Sequence, residues 1–271
     1  MTKSRAYGEA VWRRIRQATT QQTPIWVLSD YDGTLTPFAS SPDLARLSEA
    51  AREVLHRLHQ TPGIRVGLVS GRSLVALRRQ VRLANLVYVG NHGLEAQGPG
   101  VRFVHPMARR YRTALRHLAA GIRKVLEGLP GAWVEWKELT FSVHWRNVPP
   151  SARRRFHRLM QPWVGASRRH ALRVTQGQRV IEFRPPIPWH KGTILEWLLQ
   201  RERARQETAR VLVVYVGDDQ TDEDAFLVVN RLRGISVKVG STSRPTRARY
   251  RLRNPDDVIA WLRILHRVVC L

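Results

Sequence analysis

The chain contains a single cysteine, Cys270, so it cannot form an intrachain disulfide, as is typical of a protein from a reducing compartment. Cys270 closes an apolar segment with no motif around it, which makes it a poor catalytic thiol. No stretch reaches the roughly 18 apolar residues of a membrane span. Residues 1–23 carry charges throughout and lack the apolar region of a signal peptide. We therefore expect a soluble cytoplasmic protein without a membrane partner.

Lysine is scarce as well. Only five lysines are present, so arginine supplies nearly all of the formal net charge of +25 over 271 residues. Such a charge can reflect nucleic-acid binding, attraction of anionic substrates, or a coding bias toward arginine. The arginines are spread from Arg5 to Arg267, mostly on the polar faces of helical segments, which favours bias with solvation. We expect no specific nucleic-acid partner, and an arginine-rich nucleic-acid-binding protein is the alternative from a different functional class.

The chain is organised around the stretch 25–37. An apolar run from Ile25 to Leu28 predicts a buried strand, which ends at two aspartates, Asp30 and Asp32. In an open α/β sheet the ligand site lies at the carboxyl ends of the strands. Two carboxylates at that edge are costly to leave unpaired and useful if a cation lies between them. The simpler interpretation is an acidic corner whose aspartates cap a helix.

Two further strand ends carry polar side chains. The strand Ile64–Val69 is followed by Ser70 and Gly71, whose hydroxyl and backbone N–H groups can bind an anion at a helix N-terminus. The strand Leu86–Val89 is followed by a turn that contains Asn91 and His92 between two glycines. In isolation, an ordinary helix cap explains Ser70 equally well, and a structural hydrogen-bonding role is the more common one for a histidine such as His92.

The strongest signal in the sequence is a run of acidic residues. The β-branched run Val211–Val216 predicts a central strand, and the seven residues 218–224 behind it include five acids. A cluster of this kind, directly after a buried strand, requires a cation. Ahead of it, Lys191 and Gly192 begin a predicted helix, where an ammonium group can meet phosphate.

In this order the motifs resemble those of the haloacid dehalogenase (HAD) phosphatase superfamily. The run Asp-Tyr-Asp-Gly-Thr resembles its nucleophile motif, which implies that Asp30 attacks phosphorus and forms an aspartyl-phosphate, with Asp32 as general acid and base. Ser70 matches the phosphate ligand of the second motif, with Arg72 nearby. Lys191 matches the lysine of the third motif, which stabilises the nucleophile and the developing charge.

The acidic run Gly-Asp-Asp-x-Thr-Asp-Glu resembles the fourth motif of the superfamily, as it stands in trehalose-6-phosphate phosphatases. The resemblance implies that Asp218 and Asp222 bind a metal together with Asp30 and the backbone carbonyl of Asp32. Ligands that are all oxygen, next to a phosphate, favour Mg²⁺. We expect Asp219 to hold a metal-bound water, and the helix that follows to be capped by Glu223 and Asp224.

The pattern changes between Pro106 and Phe183. The predicted order is a long helix, two strands, a second helix and two strands: Arg109–Leu126, 132–137, 140–146, Pro150–Trp163, Leu172–Thr175 and Gln178–Phe183. This αββαββ order resembles the type 2B cap, a lid that excludes water and carries substrate specificity. The expected fold is α/β, a HAD-like Rossmannoid core with a parallel sheet and an inserted α+β cap domain.

The predicted domains follow from this order. They are an N-terminal helical extension (1–24), the HAD core (25–105 and 186–271) and the cap (106–185). A helix is predicted from Ser41-Pro42-Asp43 to His59, since these residues form a typical helix start. In the extension, Trp12, Ile15 and Ala18 fall on one side of a helix.

The predicted cap carries a second set of motifs. Val-Glu-Trp-Lys, Ser-Val-His-Trp-Arg and Glu-Phe-Arg-Pro resemble the trehalose-phosphatase pattern, with Trp145 where the family usually has tyrosine and Glu138 where it usually has glycine. Alternation along a strand places Ser142, His144 and Arg146 on one face; a merely solvent-exposed polar face is the alternative. With the Gly-Asn-His-Gly-x-Glu turn, the resemblance implies these substrate-binding residues: Arg72, Asn91, His92, Glu95, Glu135, Lys137, Ser142, His144, Arg146 and Glu182.

The function implied by the resemblance is the Mg²⁺-dependent hydrolysis of trehalose 6-phosphate to trehalose and phosphate. The expected partner is thus a small sugar phosphate, and a monomer is the simplest expectation. A phosphomannomutase-like phosphotransferase shares the fold and both aspartates but would phosphorylate the sugar again. Other HAD hydrolases, which act on sucrose phosphate or mannosyl-phosphoglycerate, remain alternatives.

Overall fold

The computed structural model describes residues 8–39, 41–169, 171–177, 179–206, 210–240 and 245–270, and only the backbone at 42, 168 and 206. The chain forms two compact units that divide after Phe103 and after Pro188. The first seven residues of the predicted extension and the predicted strand start at Gln178 lie outside the described residues. Within the described ranges, every helix is too short or too polar to span a membrane.

The strands form two separate sheets. In chain order they are β1 (Ile25–Ser29), β2 (Ile64–Val69), β3 (Val87–Gly90), β4 (Glu95–Gly98), β5 (Val101–Val104), β6 (Trp133–Trp136), β7 (Phe141–His144), β8 (Arg173–Gly177), β9 (Val180–Arg184), β10 (Leu212–Gly217), β11 (Ile235–Val239) and β12 (Tyr250–Leu252). The sheet of the first unit has the spatial order β12-β11-β10-β1-β2-β3-β4-β5, and that of the second β6-β7-β9-β8.

The α-helices pack against these sheets. In chain order they are α1 (Glu9–Thr20), α2 (Glu49–Gln60), α3 (Leu74–Val81), α4 (Pro106–Arg110), α5 (Arg112–Val125), α6 (Arg153–Arg169), α7 (Lys191–Gln206), α8 (Glu223–Arg231) and α9 (Pro255–Val269).

The first unit is a three-layer α/β structure. From β12 to β3 the neighbouring strands run parallel, and β4 pairs antiparallel with β3. One apolar core joins the sheet to α1, α2, α3 and α9, and a second joins its other face to α7 and α8. All five residues of β1 are buried because helices cover both faces. Since β1, β2, β3 and β10 are parallel, the polar residues that follow them lie at one edge of the sheet.

Trp12 connects α1 to this unit. It is 7% exposed, and its ring centroid lies 5.4 Å from that of Trp261 on α9. Replacement of Trp12 with alanine is expected to lower the free energy of unfolding by about 3 kcal/mol, because it leaves a cavity in the core. Urea unfolding followed by circular dichroism measures the loss. The control is Arg13→Ala on the exposed side of the same helix, and an equally small loss for both variants would contradict the packing role.

The second unit is a four-stranded antiparallel sheet with helices on one face. Its strands pair β6 with β7, β7 with β9 and β9 with β8. The apolar residues of α5 and α6 pack against the inward side chains of the sheet, among them Phe141, Val143 and Phe183. The αββαββ order is therefore confirmed. The first predicted helix is divided, however, because α4 ends at Arg110 and α5 begins at Arg112.

Two local predictions were wrong, and one pair of strands was not predicted. Helix α2 begins after Ser48, whose hydroxyl accepts a hydrogen bond from the backbone N–H of Ala51, whereas the turn at 42–44 is a short 3₁₀ helix. The pair β4 and β5 was not predicted. Strand β7 ends at His144, so Arg146 lies in the turn beyond it rather than on the same strand face. The predicted alternation holds up to His144, since Val143 is in the apolar core and Ser142 pairs with polar neighbours.

Candidate active site

Three aspartates and one lysine meet at the carboxyl edge of the first sheet. Asp30 follows β1, Asp218 follows β10, and Asp222 lies at the start of α8; a carboxylate oxygen of each lies within 4.8 Å of the others. Lys191, the first residue of α7, places its Nζ 2.8 Å from an oxygen of Asp30 and 2.8 Å from an oxygen of Asp222. The structure thus brings these four predicted side chains together.

Asp222 is the most fully hydrogen-bonded of the three carboxylates. Its Oδ1 accepts hydrogen bonds from Lys191 and from the hydroxyl of Tyr215, and its Oδ2 accepts them from the backbone N–H groups of Asp218 and Asp219. By contrast, one oxygen of Asp30 and one of Asp218 accept no hydrogen bond from the described part of the chain. Asp222 therefore holds the acidic loop in shape, while the other two carboxylates keep an oxygen for a ligand.

The electrostatics of this cluster favour a bound cation. Burial raises the pKa of Asp30 well above its usual range despite the nearby Lys191 ammonium, and the charges of Asp222 and Asp218 raise it further. Burial, with the Asp222 charge, raises the pKa of Asp218 to about 6. Burial alone would lower the pKa of Lys191, but Asp222 and Asp30 together outweigh it and raise the value. Three carboxylates thus share one ammonium, and a divalent cation with oxygen ligands fits the remaining negative charge.

Because Gly33 has no side chain, the carboxylate of Asp218 can lie close to the backbone at this position. Gly33 has φ +82°, and a Cβ at this position would lie 2.3 Å from Oδ2 of Asp218. The hydroxyl of Thr34 donates a hydrogen bond of 2.8 Å to Oδ1 of Asp218. The residues directly after Asp32 therefore form one wall of the acidic cluster.

The carboxylate of Asp32 forms an ion pair with Arg72. The guanidinium of Arg72 donates from Nε and Nη2 to the two oxygens of Asp32, at 2.7 and 2.6 Å. Arg72 is 6% exposed and also lies over the ring of Tyr31, at 5.2 Å from its centroid. The two-point geometry fixes the plane of the Asp32 carboxylate. Arg72, which was predicted to bind substrate, here contacts the predicted acid/base residue.

The predicted phosphate-binding loop and the Asn91-His92 turn are joined by backbone hydrogen bonds. The N–H of Asn91 donates to the carbonyl of Arg72, and the N–H of His92 to the carbonyl of Ser70. Ser70 is 1% exposed, and its hydroxyl accepts a hydrogen bond from the N–H of Arg72. Oε1 of Glu95 accepts from the side chain of Asn91 and the N–H of Leu74. The structure thus gives Asn91 and Glu95 a role in shaping this edge.

The second unit carries its own polar network on the sheet face opposite its helices. Glu135, Ser142 and Glu182 are opposite one another on β6, β7 and β9. Nζ of Lys137 lies 3.3 Å from Glu182 and 3.8 Å from Glu135, and Nε2 of His144 lies 2.9 Å from Glu135. Five predicted substrate residues are therefore contiguous. Arg146 lies in the turn after β7.

The acidic run holds three further acids, each with its own contacts. Asp219 is exposed and caps the 3₁₀ turn 220–222 by accepting from the N–H of Gln220. Glu223 was predicted to cap α8, but its carboxylate accepts from the N–H of Arg247 instead. Asp224 lies 3.7 Å from Nδ1 of His190. Of this run, Asp218 and Asp222 belong to the acidic cluster with Asp30.

Sequence reasoning missed two buried residues of the cluster. Tyr215 lies in the middle of β10, where its aliphatic neighbours indicated only a strand. Its hydroxyl nevertheless donates a hydrogen bond of 2.7 Å to Oδ1 of Asp222. Thr34, to which sequence reasoning gave no role in the cluster, is fully buried, and its hydroxyl donates a hydrogen bond to Asp218. A tyrosine in an otherwise aliphatic strand, three residues before an acidic loop, was the available signal for the first.

Comparison with known proteins gives a consistent set of relatives. The family model for trehalose-phosphatase matches residues 28–256. Trehalose-phosphate phosphatase of Mycobacterium tuberculosis (strain ATCC 25618 / H37Rv) is 38% identical over 236 residues, which are 86% of this chain and 59% of that protein. Probable trehalose-phosphate phosphatase 4 of Oryza sativa subsp. japonica is 33% identical over 250 residues, 90% of this chain and 66% of that protein. The chain thus spans about three fifths to two thirds of the length of these relatives.

Solved structures share the fold. The C-terminal domain of trehalose-6-phosphate phosphatase from C. albicans has a TM-score of 0.77 at 23% identity, over 94% of this chain and 96% of that one. A trehalose-6-phosphate phosphatase from Aspergillus fumigatus has a TM-score of 0.62 at 25% identity, over 94% of this chain and 97% of that one. These likenesses confirm the predicted α/β fold of the HAD type.

Proposed function

Because the chain belongs to the trehalose-phosphatase family, we propose that it hydrolyses trehalose 6-phosphate to trehalose and inorganic phosphate. The observation that carries the proposal is the buried cluster of Asp30, Asp218, Asp222 and Lys191 at the carboxyl edge of the sheet. It joins a carboxylate nucleophile to a cation site and a fixed ammonium, which phosphoryl transfer requires.

In the proposed reaction Asp30 is the nucleophile. One of its oxygens is held by Lys191, and the other attacks phosphorus. A bond forms between Asp30 and phosphorus while the bond from phosphorus to the sugar oxygen breaks. Lys191 contributes positive charge where negative charge accumulates on the phosphoryl oxygens. Ser70, at the end of the adjacent strand β2, is proposed to bind a phosphoryl oxygen through its hydroxyl.

Asp32 is proposed to move the protons. It gives a proton to the departing sugar oxygen, which produces trehalose, and takes one from the water that then attacks phosphorus. In this second step the bond between phosphorus and Asp30 breaks, so Asp30 is regenerated and phosphate leaves. Arg72 positions Asp32 through its two hydrogen bonds.

We propose Mg²⁺ as the cation, held by Asp30, Asp218 and the backbone carbonyl of Asp32. Asp222, predicted as a direct ligand, instead positions the loop and Lys191, because donors already contact both of its oxygens. When bound, Mg²⁺ would neutralise charge between Asp30 and the phosphoryl oxygens and act as a Lewis acid.

The second unit is proposed to recognise the sugar. Disaccharide hydroxyls need paired donors and acceptors, which the network of Glu135, Lys137, His144 and Glu182 provides. In the first unit, His92 and the Asn91–Glu95 turn are proposed to border the phosphate site. Arg146 and Ser142 are proposed as further contacts to the sugar.

Phosphate release from a panel of esters tests the proposal. The panel contains trehalose 6-phosphate, sucrose 6-phosphate, glucose 6-phosphate, mannose phosphates and a chromogenic aryl ester, each with and without Mg²⁺. We expect strong selectivity for trehalose 6-phosphate and no turnover after chelation. Activity on the aryl ester alone would contradict the sugar assignment. Transfer of phosphate to a hexose phosphate in the presence of a bisphosphate primer would show a mutase instead.

Arg72→Ala is expected to lower kcat/KM for trehalose 6-phosphate about 10²-fold, because Asp32 loses the group that orients it for proton transfer. The chromogenic ester, whose leaving group needs no proton, should lose much less. The control is Arg79→Ala, which removes an exposed arginine from an ion pair with Asp43. Equal losses for both esters, carried by KM, would show that Arg72 binds phosphate rather than positioning Asp32.

A further inference from the structure

The polar face of the second unit includes a large apolar side chain that the proposed reaction does not use. Trp133 begins β6, the edge strand of its sheet, and is 36% exposed. Its strand neighbours Val134 and Trp136 pack against the apolar core of the unit. Because side chains alternate along a strand, Trp133 and Glu135 point to the opposite face. A ligand that stacks on this indole would bury apolar surface that otherwise faces water.

The indole is held in a fixed orientation. Trp133 and His144 are opposite each other on β6 and β7, and their rings stack with centroids 4.1 Å apart and planes 12° from parallel. Nε2 of His144 lies 2.9 Å from Oε2 of Glu135. One face of the indole therefore rests on the imidazole, and the exposed part adjoins a hydrogen-bonded carboxylate. A rigid aromatic surface of this kind binds a ligand at little cost in conformational entropy.

The surroundings of Trp133 specify the chemistry of that ligand. Beyond Glu135 the same face continues with Lys137 and Glu182, which are part of one network. A flat apolar surface next to converging carboxylates and an ammonium suits a molecule with an apolar face and a polar rim. A pyranose ring has this form, since its C–H bonds cover its faces and its hydroxyls lie around its edge.

We propose that Trp133 is a specificity-determining residue that stacks on a glucose ring of the disaccharide, next to the carboxylates that bind its hydroxyls. This inference rests on the proposed function, and it adds a residue that the motifs did not indicate. Trp133 contacts the sugar and not the phosphoryl group. We therefore expect Trp133 to stabilise the bound substrate and the transition state by the same free energy.

The test is a comparison of Trp133→Ala, Trp133→Phe and wild type on trehalose 6-phosphate and on the chromogenic ester, with Mg²⁺. We expect Trp133→Ala to raise KM for trehalose 6-phosphate about tenfold with kcat unchanged. KM for the chromogenic ester should stay the same, and Trp133→Phe should recover most of the loss. Met107→Ala is the control, because Met107 is a similarly exposed apolar residue of this unit that lies on α4.

The outcomes separate the inference from the proposed function. A wild-type enzyme that releases no phosphate from trehalose 6-phosphate would contradict the proposed function before any variant is compared. A wild-type enzyme that does so, together with an unchanged KM for Trp133→Ala, would overturn the stacking role alone. A lower Tm with equal losses on both esters would also overturn it, since Trp133 would then only support His144.

Discussion

The Asp30→Asn variant is expected to hydrolyse trehalose 6-phosphate at least about 10⁴-fold more slowly than wild type, with the fold intact. The carboxamide has nearly the shape of the carboxylate but cannot form the acyl phosphate. Burial opposes the charge of Asp30, as its raised pKa shows, so loss of that charge should not weaken folding. Lys191 also keeps its second partner, Asp222.

Steady-state phosphate release and thermal unfolding are the measurements for this variant. Asp256→Asn, at an exposed position in the first turn of α9, is the control and should match wild type in both. Turnover by Asp30→Asn near the wild-type rate would remove Asp30 from the role of nucleophile. A fall in both Tm and activity would instead show that the substitution disturbs the structure.

Replacement of Lys191 with methionine is expected to affect both stability and activity. Methionine keeps much of the length of the side chain but removes the ammonium, and Lys191 is 2% exposed between Asp30 and Asp222. Its removal leaves buried carboxylates without their compensating charge, at a cost of about 3–5 kcal/mol in the free energy of unfolding. Turnover should fall about 10³-fold, because the phosphoryl oxygens lose a fixed positive group.

Urea unfolding with and without Mg²⁺ measures the first effect. Mg²⁺ should stabilise Lys191→Met measurably, since a bound cation replaces part of the missing charge and binds only the folded state. Lys124→Met removes an exposed lysine from α5 and should change neither property. A Lys191→Met variant as stable as wild type would mean that the acidic cluster does not depend on this ammonium.

The sequence indicated the carboxyl edge of the first sheet well because its strands are short apolar runs that end abruptly in polar residues. Asp30, Ser70 and Asp218 each follow such a run, and parallel pairing of β10, β1 and β2 then brings them to the same edge. The position of Lys191 could also be predicted, because it is the first residue of its helix.

Contacts between side chains could not be derived from spacing. Arg72 was near the correct place, but only the folded loop shows that its guanidinium meets Asp32, forty residues earlier. Glu223 resembled a helix cap because it stands at a helix start, yet the chain at Arg247 supplies a backbone N–H to it. Such partners come from distant segments, and local patterns carry no information about them.

The predicted start of α2 was wrong because two nearby segments carry the same local signal. Ser41 and Ser48 both resemble helix caps, and the second prevails because its hydroxyl reaches the N–H of Ala51 at the start of a longer helix. Strands β4 and β5 have only four residues each and little alternation, so no period identified them. Trp133 was overlooked for a related reason, because the family patterns begin at the following residue.

A competition assay tests the central claim most directly. Trehalose 6-phosphate, sucrose 6-phosphate and glucose 6-phosphate are mixed at equal concentrations with enzyme and Mg²⁺, and the free sugars are followed by chromatography. The initial product ratios report the ratios of kcat/KM. We expect trehalose to appear first and in equal amount to phosphate, before the other sugars form. Release of the three sugars at similar rates, or of glucose first, would contradict the account.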